Sequence, residues 1–363
     1  MPATSKISRS QLGARNDKRT DSGSARSRIT FHESRTHMPS ITLLEAIRQG
    51  IWEEMERDER VFLLGEDIGV YGGAFKVTEG FLDRFGDGRV IDTPISESAI
   101  IGAACGAAMM GMRPVAEMQF IDFISCCFDM LRNYAATSRY RQGIGIPMVV
   151  RGPSGGGVHG GPFHSQNVES FFLNTPGLKM VEPSTPYDAK GLIKAAIRDE
   201  DPVLFFEHKF LYRNPKIKQE VPDDDYIVPI GKAAIRREGR DLSIVTYGAM
   251  VYTALDAAEK LKEEGVDAEV IDLRTLLPFD REAIIESVKK TSKVIILHEA
   301  TRTGGMAGEL TAVINEEAFE YLDGPVMRVT SIDTPVPYAP PLEEFFMPQV
   351  DDVLKAARTL IAY

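Results

Sequence analysis

Short apolar runs of strand length recur along this chain, and a segment of helical periodicity separates each from the next. In the first half the runs are Val61–Leu64, Pro147–Arg151, Leu178–Val181 and Pro202–Phe206; in the second they are Leu242–Thr246, Ala268–Leu273, Lys293–Leu297 and Val326–Thr330. The intervening segments repeat apolar residues three and four apart. Leu44, Ile47, Ile51 and Met55 follow the capping-box pattern Thr42-x-x-Glu45, and Val251, Ala254, Leu255, Ala258 and Leu261 form a stripe suited to docking on a sheet. Strands joined through helical crossovers run parallel and are covered on both faces, so the pattern defines an α/β fold.

The 363 residues suffice for two cores of ordinary size. Residues 1–38 are rich in Arg, Ser and Thr without apolar periodicity, the composition of a disordered tail; the amphipathic face of a transit peptide is missing, and Met38 is an alternative start. The first α/β domain is expected over 39–213, a Pro- and charge-rich linker over 214–230, and a second, smaller α/β domain over 231–363. Further helices are expected over Thr78–Arg84, Asp122–Tyr140, after His164, and over Pro186–Arg198, Arg281–Lys290 and Gly308–Ala318.

A formal net charge of -11 argues against nucleic acid or an anionic membrane as partner, because both would repel the average surface. No apolar run approaches the roughly 18 residues of a membrane span. Cys105, Cys126 and Cys127 have neither a metal-ligand spacing nor a disulfide framework, which fits a reducing, intracellular compartment.

The chemistry concentrates around Arg89–Phe123, which reads as strand, carboxylate turn, small-residue helix and strand. Glu97 stands where the helix begins, at a strand's carboxyl end, the edge where open α/β sheets keep their sites. Equally, it could only cap that helix. Glu66 and Asp67 end a neighbouring run, and carboxylates crowded into one crevice raise one another's pKa. His159 and His164 flank the glycine loop Gly152–Gly161 and are candidates for proton transfer. That loop lacks P-loop spacing and reads as a flexible active-site loop. His208 follows a strand without an evident partner, and His298-Glu299 suits structural or interface duty. The helix bearing Gly102-x-x-x-Gly106 admits close backbone approach, and a subunit interface is expected there.

Several segments together resemble one family, the beta subunit of the decarboxylating component of 2-oxo acid dehydrogenase complexes. They are Val61-Phe-Leu-Leu-Gly-Glu-Asp67, Gly73-Ala-Phe-Lys76, Asp92-Thr-Pro-Ile-Ser-Glu97, Glu117-Met-Gln-Phe120, Phe163-His-Ser-Gln166, Pro176-Gly-Leu-Lys179, Asp188-Ala-Lys-Gly191 and His298-Glu-Ala-Thr-Arg-Thr-Gly-Gly305. The resemblance covers about Ile41 to the C-terminus and implies a transketolase-type pyrimidine-binding domain with a parallel sheet, then a smaller transketolase C-terminal-like domain. It implies thiamine diphosphate shared with an alpha subunit in an α2β2 heterotetramer. The alpha subunit holds the magnesium, and a lipoylated dihydrolipoyl acyltransferase takes the acyl group.

Gly86-Asp87-Gly88 looks like the start of the magnesium–diphosphate motif of such enzymes, yet Ala108–Gln119 contains no Asn to complete it, so it reads as a turn. By the resemblance, Glu97 hydrogen-bonds the aminopyrimidine and His164 serves acyl transfer to the lipoyl group. Glu66, Ile95, Gln119 and Phe123 contact the cofactor. The backbone carbonyls of Ile146, Met148, Val149, Ala196, Asp199 and Asp201 hold a monovalent cation, potassium. The resemblance implies a branched-chain 2-oxo acid or pyruvate as substrate or, in an acetoin dehydrogenase, acetoin. Phe123 and Gly161-Pro162-Phe163-His164 point to different members. A single-chain transketolase-like enzyme would need an upstream diphosphate-binding domain, and the tail is too short for one. The setting implied is the cytoplasm in a bacterium and the mitochondrial matrix in a eukaryote.

Overall fold

The computed structural model of the chain describes residues 40–363, so the expected tail and the alternative start at Met38 lie outside the described residues. Six strands of the first half and one of the second build a seven-stranded sheet in the spatial order Thr275–Leu277, Lys179–Val181, Val203–His208, Val149–Ser154, Arg113–Glu117, Val61–Gly65, Val90–Asp92. Every neighbouring pair is parallel except the first, which is antiparallel. Strand periodicity sends alternate side chains to opposite faces: Val61, Leu63, Val203 and Phe205 join one buried cluster, and Phe62, Leu64, Leu204 and Phe206 the other. The runs read as continuously apolar because both faces are covered.

Leu43–Arg57 and Pro186–Arg198 pack together on the first face. They cross closely at Gly50, where a Cβ would collide with the Ile193 side chain and stand 3.1 Å from the Lys190 carbonyl oxygen. The capping box forms as expected, with the Glu45 N–H donating to Thr42 Oγ1 at 3.2 Å and the Thr42 N–H to Glu45 Oε2 at 2.8 Å. Glu97–Met109 covers the second face through Ile100, Ile101, Ala104, Cys105 and Ala108. Its opposite side leaves Ala99, Ala103, Gly106 and Met110 exposed.

The second half forms a five-stranded sheet, ordered Met327–Ser331, Val294–Thr301, Leu242–Thr246, Ala268–Asp272, Ala234–Arg237, parallel except for the last strand. Both apolar clusters continue into it. Its C-terminal helix, Val350–Ile361, buries Val353, Leu354, Ala356, Ala357 and Leu360.

Three expectations differ from the structure. Asp122–Tyr140 is not one helix but a 3-10 segment Ile121–Cys127, a π segment Met130–Ala135 and an α-helix Ala136–Gln142. After His164 there is only the 3-10 turn Glu169–Phe171. Within the expected linker, Gln219–Glu220 pairs antiparallel with Ser40–Ile41. Among the described residues, no helix is long and apolar enough to cross a membrane.

Candidate active site

The candidate residues stand at the carboxyl ends of adjacent strands. Val61–Gly65 runs into Glu66 and Asp67, the latter with φ 57°. Val90–Asp92 runs into Thr93, whose N–H donates to the Gly65 carbonyl at 2.9 Å, and after Pro94, Ile95 and Ser96 the helix opens on Glu97. The Asp92 carboxylate accepts the Gly69 N–H at 2.6 Å, drawing the intervening glycine loop over this edge. Burial raises the pKa of Glu66, the negative charge of Glu97 raises it further and Asp67 adds to this, while the Ser96 N–H works against the shift. These carboxylates are therefore close enough along one sheet edge to feel one another's charge. Ser96 makes no side-chain cap to the helix, and Glu97 is half-buried rather than splayed into solvent.

Next along the edge, Arg113–Glu117 leads to Gln119, whose Nε2 donates to Asp67 Oδ2 at 3.3 Å. Phe120 follows and presents its ring to His164, with centroids 4.5 Å apart and planes at 82°. Phe123 lies 5.7 Å from the same imidazole at 88°, so His164 is held edge-on between two aromatic rings. Ile95 is 82% exposed on the loop before Glu97 and makes no comparable contact.

Beneath this surface a buried charge ladder spans three neighbouring strands. Arg151 donates to Glu117 on one side and to both oxygens of Glu207 on the other, at 2.5 Å each, and the Tyr212 hydroxyl donates to Glu207 at 2.5 Å. A guanidinium between two carboxylates satisfies its planar fork of donors in a place where an unpaired charge would be costly.

The glycine loop is fastened rather than free. The Gly156 N–H donates to Glu299 Oε1 at 2.6 Å, and the Gly157 and His159 N–H groups donate to Glu343 at 3.1 and 3.0 Å. With these amides committed to carboxylates, the loop does not present them to a phosphate. Nor is His208 without a partner: its Nε2 lies 2.8 Å from Glu299 Oε2. Burial pushes the Glu299 carboxyl up, but the His208 charge and the hydrogen bonds from His208, Asn167 and Gly156 outweigh it and hold the pKa at about 2. Next to this junction a cavity of about 280 Å³ is lined by Gln166, Asn167, Phe171, Glu299, Val336 and Phe346, among others.

The expected cation-site residues lie elsewhere, at the opposite edge of the sheet where Val149–Ser154 begins. The Ile146 carbonyl accepts the Met148 N–H at 2.8 Å, the Met148 carbonyl the Val203 N–H at 3.0 Å, and the Ala196 carbonyl the Asp199 N–H at 3.3 Å. Arg113 donates to the Asp199 carbonyl at 2.9 Å, and Arg139 binds the Asp201 side chain. Among the described residues no group of three or more His, Cys, Asp or Glu is placed to hold a metal ion, and Asp87 is exposed on a turn.

Sequence reasoning did not single out Phe120, Asp122, Lys209 or Glu343. Phe120 belongs to the Glu117–Phe120 motif and could have been found there; the others acquire their roles only through tertiary burial.

This architecture is that of the transketolase class. Residues 39–215 match the transketolase pyrimidine-binding domain and 231–353 the transketolase C-terminal domain. A solved "Split gene transketolase, inactive beta4 tetramer" superposes with a TM-score of 0.74 at 23% identity, covering 89% of this chain and 99% of that one. Within the class, the chain is 54% identical to the 2-oxoisovalerate dehydrogenase subunit beta of Bacillus subtilis (strain 168), over 90% of this chain and all of that protein. It is 45% identical to the pyruvate dehydrogenase E1 component subunit beta of the same organism, again over 90% and 100%. The chloroplastic pyruvate dehydrogenase E1 component subunit beta-2 of Arabidopsis thaliana is 47% identical over 88% of this chain and 79% of its own length. The chain belongs to the family of beta subunits of 2-oxo acid dehydrogenase E1 components.

Proposed function

We propose that this chain forms the aminopyrimidine half of a thiamine-diphosphate site, completed by an alpha subunit, in an enzyme that decarboxylates a 2-oxo acid and passes the acyl group to a lipoylated acyltransferase. The observation that carries the reading is the row of Glu66, Glu97, Gln119 and the Phe120–His164–Phe123 cluster along one sheet edge, where Glu97 raises the pKa of Glu66. The donor set suits a flat, nitrogen-rich ring: a carboxylate and an amide along its edge, aromatic side chains nearby. When bound, thiamine diphosphate supplies the electron sink that a carboxyl group needs in order to leave as carbon dioxide.

The residues divide the remaining tasks. Glu97, at the helix start, would hold a hydrogen bond to the aminopyrimidine ring nitrogen and fix its protonation. Glu66 keeps its proton to higher pH than a free glutamate, so it can act as a hydrogen-bond donor at this edge. Gln119, tethered to Asp67, and Phe123 would orient the ring, with Ile95 closing its rim from the exposed loop. His164 would give or take the proton when the acyl group passes to the lipoyl sulfur.

The residues do not fit magnesium: Asp87 is exposed and lacks companion ligands, so the ion is assigned to the alpha subunit. Potassium is assigned to the carbonyls of Ile146, Met148, Val149, Ala196, Asp199 and Asp201. At least four of these accept an internal hydrogen bond, and a carbonyl oxygen that accepts one retains a second lone pair. The exposed small-residue face of Glu97–Met109 suits contact with another subunit of an α2β2 assembly. Identity of 54% to a 2-oxoisovalerate enzyme against 45% to a pyruvate enzyme of one organism supports a branched-chain substrate. The setting would be the cytoplasm of a bacterium or the mitochondrial matrix of a eukaryote.

Co-expression with the candidate alpha subunit, followed by steady-state assay across branched-chain 2-oxo acids and pyruvate, tests the reading. Activity is expected only from the pair and highest with a branched-chain acid. Decarboxylation by the chain alone, with thiamine diphosphate and magnesium, would overturn it.

A further inference from the structure

Two buried groups of opposite charge behind His164 have no hydrogen-bond partner for a charged atom. Lys209 is 5% exposed, and its Nζ has none; Asp122 is 4% exposed, and its Oδ2 has none. Among the described residues they are the only ammonium and the only carboxylate with such an atom fully buried. Burying either alone is strongly unfavourable, so each argues for the presence of the other. Asp122 is the strongest opposite charge acting on Lys209, and Lys209 the strongest acting on Asp122.

Both groups connect to His164 by a separate path. Asp122 Oδ1 accepts the Gln166 N–H at 2.9 Å, which fixes the backbone two residues beyond the imidazole. Lys209 Nζ stands 5.9 Å from the centroid of Phe120, and that ring is itself in contact with His164. The other charged groups around the pair are largely committed. Glu299 is taken by His208, Asn167 and Gly156, Glu343 by His159 and Gly157, and Glu182 is buried beyond them. Burial pushes the Lys209 ammonium down to about 8 against the pull of Asp122, Glu299, Glu343 and Glu182; burial likewise raises Asp122, against Gln166, Lys209 and His164.

We propose that Asp122 and Lys209 are positioning residues for His164: two buried groups of opposite charge, not in direct contact, of which Asp122 fixes its loop and both set the charge balance at its imidazole. The proposal rests on the reading of His164 as the acyl-transfer residue. Asp122→Asn keeps the oxygen that Gln166 binds but removes the negative charge. Lys209→Met removes the positive charge, and Lys209→Arg restores it.

The test is the pH profile of lipoyl-domain acylation by the reconstituted α2β2 enzyme, with His164→Gln as reference. In Asp122→Asn the ionisation in kcat/KM should move to lower pH by roughly half a unit or more, and in Lys209→Met to higher pH by a similar amount. Lys209→Arg should return it to the parental position. A residue with a purely structural role would lower thermal stability without moving the profile in opposite directions. If His164→Gln abolishes acylation while both charge variants keep the parental profile, the pair has no such role and the reading of His164 stands. If His164→Gln acylates normally, that reading falls and takes the proposal with it. Should Asp122→Asn fail to assemble, Lys209→Met against Lys209→Arg carries the comparison: a shift to higher pH in the first that is absent in the second supports the proposal, and a parental profile in both overturns it.

Discussion

Glu299, on the first sheet's partner, receives His208 Nε2 at 2.8 Å, and this contact joins the last residue of Val203–His208 to Val294–Thr301. The same carboxylate caps Gly156 and binds Asn167, so one side chain from the second half secures the loop that carries His164.

The pH dependence of this junction follows from the sign of the Glu299 shift. Its folded pKa of about 2 lies below the ordinary 4.5, so the stabilisation is complete above about 4.5 and lost as pH falls through about 2. The protection factor of the Gly156 amide, its exchange rate taken against the intrinsic rate at each pH, should fall across that window. In Glu299→Gln the fall should be absent, because the protection is already reduced at neutral pH.

Glu97→Gln, made in the assembled enzyme, is expected to reduce decarboxylation by roughly a hundredfold or more, the scale of a lost proton-transfer group. The tetramer should survive, since Glu97 is half-buried at a helix start and supports no core contact. Turnover with an artificial electron acceptor, read beside size-exclusion chromatography, separates the two effects; a near-parental rate would remove Glu97 from the mechanism.

Arg151→Met leaves Glu117 and Glu207 buried without their shared cation. Loss of one member of such a network costs about 3–5 kcal/mol. Chemical denaturation should show that loss, and the triple change Arg151→Met, Glu117→Gln, Glu207→Gln should recover part of it.

The three thiols should differ sharply in reactivity. Burial pushes Cys105 up to about 11 and Cys127 up to about 12, whereas Cys126 is exposed. A brief maleimide treatment of the isolated chain near neutral pH should modify Cys126 alone by peptide mass mapping; rapid labelling at Cys105 would contradict the packing of Glu97–Met109.

Much of the fold was legible because its signals are local. Thr42 and Glu45 form the cap their spacing announces, and Val61–Leu64 is apolar throughout because helices cover both of its faces. The positions of Glu66, directly after a strand, and Glu97, at a helix start, were legible because the apolar run and the small-residue helix beside them are local signals. The segment after His164 misled because its neighbouring loop amides are satisfied by Glu299 and Glu343, more than a hundred residues away, and not by helical carbonyls. Lys209 and Asp122 were illegible for a related reason: a Lys after a strand looks solvated until the opposing half is folded over it. Thr275–Leu277 was missed because it is short, and its strand character comes from Val181 and Met180 alongside it.

That last strand has a consequence for how the chain can be divided. Thr275–Leu277 belongs by sequence to the second half, yet it covers the edge of Lys179–Val181 in the first. A fragment ending near residue 230 would therefore leave that edge's backbone groups open, inviting other chains to pair with it. The halves of this subunit are better regarded as one cooperative, aggregation-guarded body than as two separable modules.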